Sequence, residues 1–268
     1  FDGYRREVDA SGMMDAMDRF DQQAVSILTS GRLKGALDLD ADPTSVRKYA
    51  LGGHEDTLAS YTSDGPRATL KFLLARQLIE AGVRCVSLSL SDFDTHSDNF
   101  PRLRSLLPIL DRGLSALVLD LEDRGLLDDV LIVVWGEFGR TPRIDPKSGG
   151  RHHWPQVGPA LLAGGGLRMG QIIGATDRDA GTAIARPVHY KDIVATLYHH
   201  VGLDPHRTSL TDPQGRPQHL LDTGTAQAMV GAAQSSAETH EFDMDPGDVA
   251  RMSGATLRIV TRACATVE

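Results

Sequence analysis

Cysteine is scarce. The chain has two in 268 residues, Cys85 and Cys264, too few for a disulfide framework or a paired-cysteine metal site, and silent on the redox compartment. Long apolar runs are missing as well: a stretch such as Val130–Trp135 falls far short of the ~20 residues a spanning helix needs, so no membrane insertion is expected. Basic residues neither dominate nor cluster. With 28 Lys+Arg against 36 Asp+Glu and a net charge of −8, the chain has no electrostatic footprint for nucleic acid or an anionic membrane. No charged-then-apolar leader precedes Phe1, and an opening Phe in place of Met carries the expectation of a processed or truncated product. What is present is ordinary for a globular protein, 41% hydrophobic and 24% charged. An α/β domain of this length buries roughly 75% of the surface its unfolded chain exposes, so folding needs no metal staple and any metal would serve chemistry.

Spacing predicts the elements. Met13, Met14, Met17, Phe20, Ala24, Ile27 and Leu28 recur at helical steps in a polar N-terminal stretch, read as one or two covering helices. Ser63-Asp64-Gly65-Pro66 predicts a helix start, Leu70, Leu73, Leu74 and Leu78 its apolar face, and Gly82 its stop. Val83–Leu90 alternates as a strand, Leu103 to Leu121 repeats as a long amphipathic helix ending at Gly125, and Val130–Trp135 reads as a strand buried on both faces. A right-handed crossover between these strands would bring their carboxyl ends to one edge of a mainly parallel sheet, where open α/β folds bind ligands. Pro159–Ala163 predicts a further strand, Gly164-Gly165-Gly166 a turn, and Tyr190–Val201 a helix with His199 and His200 suited to its C-terminus. Residues 1–224 are expected to form the α/β domain and 225–268 a loosely attached tail with a possible strand at Ala255–Thr261.

Chemistry-bearing residues gather at the two strand ends. Asp94 and His96 are two apart, so an extended segment projects both to one side. Glu137 follows the next strand, and His153 or His152 can add an imidazole from the loop beyond. Two carboxylates with one or two imidazoles suit zinc or manganese and are too nitrogen-rich for a calcium or magnesium cage. Arg140 and Arg151 lie in the same loops, and guanidinium forks suit phosphate or sulfate. The competing expectation pairs Glu137 with an arginine, sets Asp94 as a helix cap and stacks His153 on Trp154.

Asp94-Thr95-His96-Ser97-Asp98-Asn99-Phe100, Gly136-Glu137-Phe138-Gly139-Arg140-Thr141-Pro142, Gly150-Arg151-His152-His153-Trp154-Pro155, and Gly164-Gly165-Gly166 through Gly174-Ala175-Thr176-Asp177 resemble, in order, the motifs of the domain of unknown function 1501 family. The resemblance runs from roughly Phe20 to Ala226. It implies a three-layer αβα sandwich, alkaline-phosphatase-like, that holds metal at strand ends and hydrolyses phosphate or sulfate esters of small molecules or saccharides. In that scheme Asp94, His96, Glu137 and His153 are the metal ligands, and Arg140 and Arg151 face the ester. The chain departs from the family's motifs with Phe93 in place of Trp and His152 in place of Asp. The resemblance also implies a first strand and a Gly-rich segment upstream that this N-terminally incomplete chain lacks, and, from the family's export leaders, a periplasmic or exported location. The alternative expectation is a non-catalytic binding or structural module of an exported system that keeps the fold.

Overall fold

The computed structural model describes residues 19–52, 62–224 and 255–261. The N-terminal stretch forms α1 (Arg19–Thr29), α2 (Gly31–Leu37), a single turn at Leu39–Ala41 and α3 (Pro43–Tyr49). Of the expected apolar stripe, Met13, Met14 and Met17 lie outside the described residues. The expected strand–helix–strand core follows as α4 (Leu70–Glu80), β1 (Cys85–Leu90), α5 (Asn99–Asp123) and β2 (Val130–Trp135). Beyond it come β3 (Gly139–Arg140), β4 (His153–Trp154), β5 (Ala160–Gly164), β6 (Ala175–Thr176), β7 (Ala183–Ala185), α6 (Tyr190–His200), β8 (Ser209–Thr211), β9 (Pro217–His219) and β10 (Ala255–Thr261).

Helix ends follow local chemistry. α4 stops in a Schellman turn: Gly82, at φ +101°, donates to the Ile79 carbonyl at 3.0 Å and Val83 to that of Leu78 at 3.0 Å. Its start is not at the expected Ser63-Asp64. Both residues bond elsewhere, Ser63 to Asp92 and Asp64 to Ser91, and the helix begins after Thr69. α6 opens with a capping box, the His189 N–H donating to Asp192 at 2.9 Å. At its other end buried His200 meets the Asp129 carbonyl at 3.2 Å, a structural role.

The chain is mixed α/β, but the expected mainly parallel sheet is corrected. The four-stranded sheet has the order β1-β10-β2-β5, and every pairing in it is antiparallel. For two of the three pairings the physical reason is the place taken by β10, which sits between the two strands joined by α5 and hydrogen-bonds to both, while β5 pairs antiparallel with the other edge of β2. Segment 225–268, expected as a loosely attached tail, thus supplies an inner strand of the sheet, and the rest of it lies outside the described residues. Because β1 and β2 each run against β10, they run with one another. Leu90 lies opposite Ala255 and Trp135 opposite Thr256, so both carboxyl ends open at the same end of the sheet.

β2 is buried on both faces, as its unbroken apolar run predicts. Val130, Ile132 and Val134 pack into the large core with Phe72 and Leu73 of α4 and Leu106, Leu117 and Leu121 of α5, while Leu131 and Val133 pack on Ile193 of α6. Burying side chains of this size contributes about 1.5–3 kcal/mol each and fixes β2 as the platform from which the next loop leaves.

Candidate metal centre

The loop after β1 is tied down before it reaches its first ligand. Asp92 adopts φ 71°, and its Oδ2 accepts from the Ser63 N–H at 2.7 Å and hydroxyl at 2.9 Å. Reciprocally, the Ser91 N–H and hydroxyl donate to the Asp64 carboxylate at 2.7 and 3.0 Å. Next the chain alternates: Phe93 and Thr95 are buried, and Asp94 and His96 between them are exposed. The expected same-side projection of Asp94 and His96 is therefore present. Thr95 is anchored from below, its hydroxyl 2.5 Å from Oδ1 of the fully buried Asn99.

The second half of the site comes from the loops after β2. In the β3–β4 pair Arg140 lies opposite His153. The intervening loop docks on the first through backbone bonds, with Asp98 N–H donating to Ser148 O, Asn99 N–H to Gly149 O and Arg151 N–H to Thr95 O, each at 3.0 Å. Gly150 makes this approach possible, since a Cβ there would stand 2.0 Å from the His96 carbonyl carbon and oxygen.

Three expected ligands converge. His96 Nδ1 lies 3.2 Å and His153 Nε2 3.3 Å from Asp94 Oδ1, and the three ligand atoms all fall within 4.8 Å of one another. Four ligands held ~2.0–2.1 Å from zinc in a tetrahedron are about 3.3 Å apart along each edge, so the donor set and spacing fit such an ion. The side chains are 58%, 44% and 50% exposed for Asp94, His96 and His153, leaving the outer side open to a water or an ester oxygen. The His153 ring packs against Phe138 at 4.4 Å and His96 at 4.9 Å between centroids. Desolvation, and then the neighbouring charges of Arg140 and His96, hold the His153 pKa below that of a free imidazole, partly offset by Glu137. That favours the neutral ring a metal requires.

The other expected residues are placed differently. Glu137 is exposed and outside this trio, although its charge reaches His153. Of the two loop histidines, His153 joins the trio; His152 turns to Asp145, with Nε2 3.5 Å from Oδ2, and its ring lies 5.8 Å from that of His96. Arg140 is buried and donates from Nη2 to Asp94 Oδ1 and from Nη1 to the Arg151 carbonyl at 3.3 Å, and burial lowers its pKa. Arg151, also buried, directs Nη1 to the carbonyls of Thr141 and Pro142 at 2.5 and 2.6 Å, bracing the loop.

The competing arrangement is not the one formed. Asp94 pairs with Arg140, Trp154 Nε1 donates to the Gly181 carbonyl at 2.7 Å, and among the described residues no ion pair joins Glu137 to an arginine. Sequence reasoning missed Phe138, Asp145 and Gly150. For Asp145 a signal existed, since Asp-Pro is a turn opener, and its carboxylate accepts the Lys147 N–H at 2.8 Å.

Comparison with curated proteins and with solved structures finds no match for the chain. The family model described as protein of unknown function (DUF1501) matches residues 5–230, most of the length, with all the residues of the site inside it. The chain belongs to the DUF1501 family.

Proposed function

We propose that the chain is a metal-dependent hydrolase of phosphate or sulfate esters, built on an alkaline-phosphatase-like αβα sandwich and working outside the cytoplasm. The observation that carries this reading is the meeting of His96 Nδ1 and His153 Nε2 at Asp94 Oδ1, at 3.2 and 3.3 Å, beside an open outer face. Zinc or manganese would be held by these three side chains. Such an ion, when bound, supplies a Lewis acid for an ester oxygen and lowers the pKa of an attached water. The chain's own residues do the rest. Asp94 is oriented by Arg140, the neutral form of His153 is favoured and its ring located by Phe138, and the close approach at Gly150 sets the His96 loop against the β4 loop.

Calorimetric titration of the purified chain with zinc and with manganese tests this reading, alongside turnover of aryl phosphate and aryl sulfate. One ion per chain is expected, with affinity reduced at least about 100-fold in Asp94→Ala and His153→Ala and turnover lost with it. No binding at millimolar metal, or unchanged binding in both variants, overturns it. The half-exposed state of all three side chains favours a second reading, a non-catalytic binding module, because catalytic sites gain much of their electrostatic power by excluding water. Metal binding without turnover of either ester selects that reading.

A further inference from the structure

Arg140 occupies an unusual position for a cation beside a metal site. It is 1% exposed and lies opposite His153 in the β3–β4 pair, and its Nη2 donates to Asp94 Oδ1, the oxygen to which both imidazoles point. One further bond holds it there, from Nη1 to the Arg151 carbonyl at 3.3 Å, whereas Nε is buried without a hydrogen-bond partner among the described residues. A guanidinium stays charged at any working pH.

Charges around the trio can be counted. Asp94 and Arg140 cancel, and the two imidazoles are neutral when they act as ligands. Farther out, the Asp145 carboxylate beside His152 is offset by the Arg151 cation behind the loop, and Glu137 is the acidic group whose charge registers on His153. Resting on the metal reading above, we infer that Arg140 is the specificity-determining residue of the site: by neutralising Asp94 it leaves the cation's double charge facing the ligand, which selects dianionic phosphate monoesters over monoanionic sulfate esters. Arg140 achieves this without contacting the ester. Its effect is a charge sum, and the same charge repels the metal, so the selectivity comes at a cost in metal affinity.

At pH 8 a phosphate monoester, whose second pKa is about 6, is a dianion, while a sulfate monoester keeps a single charge. One unit of charge a few ångströms from a partly exposed cation changes binding by about tenfold. Zinc-loaded chain is titrated with phenyl phosphate and with phenyl sulfate at pH 8, after zinc affinity itself has been measured without ester. The wild type is expected to bind phenyl phosphate at least about tenfold more tightly. Arg140→Gln is expected to bind zinc about tenfold more tightly and to lose most of the preference, and Arg140→Lys to keep both wild-type properties. Circular dichroism and thermal melting establish that each variant is folded. Should Arg140→Gln fail to fold, Glu137→Gln, at an exposed position, provides the opposite charge change and is expected to increase the phosphate preference about threefold. Equal affinity for the two esters in the wild type, or a ratio unchanged in folded Arg140→Gln or, where that variant does not fold, in Glu137→Gln, overturns the inference while leaving the metal reading intact. Absence of zinc binding in the first titration overturns the metal reading itself, and this inference with it.

Discussion

Asp120 shows how much one buried charge governs in this chain. It is 1% exposed, on the face of α5 toward α3 and α4, and accepts from Arg76 Nε at 2.9 Å, Arg124 Nε at 3.1 Å and the Tyr49 hydroxyl at 3.1 Å. Burial alone would raise its pKa, but the bonds and charges of Arg124, Arg76 and Tyr49 outweigh that and leave it lowered. Burial pushes the Tyr49 hydroxyl up, so it remains a donor. Replacing Asp120 by Asn leaves the 4%-exposed Arg76 with Glu80 as its remaining counter-charge, and a loss of about 1.5–3 kcal/mol, the worth of a hydrogen bond to a charged group, is expected in urea unfolding. Since the folded-state pKa lies below the unfolded value near 4, Asp120 contributes in full above about pH 5, and the contribution fades as pH falls through the lowered value. The wild-type unfolding midpoint should therefore drop in acid more steeply than that of Asp120→Asn; parallel curves would show that Asp120 is not a source of acid sensitivity. At this scale the sequence was readable where the backbone is extended: period-two alternation put Asp94 and His96 on one side. Spacing alone left His152 and His153 open, because that choice depends on the cross-strand register of Arg140 with His153; it was the family resemblance that pointed to His153.

The same reasoning extends to whole elements. α4 and α5 cross at Gly113, where a Cβ would lie 2.3 Å from the Phe72 ring, and Phe72 is completely buried. In an exposed helix Gly→Ala stabilises by roughly 0.5–1 kcal/mol. Here the ring cannot move aside, so Gly113→Ala is expected to destabilise by about 1–3 kcal/mol, measured as a lower urea midpoint. A raised midpoint would refute the close crossing. Helices and their ends were legible because leucine spacing and stop glycines are local signals, as at Gly82 and Gly125. The start of α4 was not, because Ser63 and Asp64, which are good capping residues, are engaged by Asp92 and Ser91 from another part of the chain.

Across the whole molecule, β10 decides what the sheet is. It pairs with β1 over Ala255–Val260 and with β2 over Thr256–Thr261, so its backbone is hydrogen-bonded on both sides. A proline in such a strand removes a ladder donor and is not tolerated away from edges. Ile259→Pro removes a ladder donor and leaves its carbonyl partner unpaired, which is expected to cost about 1–3 kcal/mol and to lower the melting temperature of the entire fold. A variant that melts like the wild type would show that residues 255–261 do not belong to the sheet.

By itself, the sequence determined what depends on neighbours along the chain: the helix–strand–helix–strand order from Leu70 to Trp135, the burial of β2 on both faces and the residue types gathered at the strand ends. Each of these follows from periodicity or from a short motif. Tertiary structure alone decided that a strand beginning some 120 residues after β2 would enter between β1 and β2 and pair antiparallel with both, that Glu137 stays outside the trio of Asp94, His96 and His153, and that Arg140 pairs with Asp94. Strand pairing and close loop approach are bought with backbone hydrogen bonds and excluded volume between distant segments, and neither quantity is written in the local order of side chains.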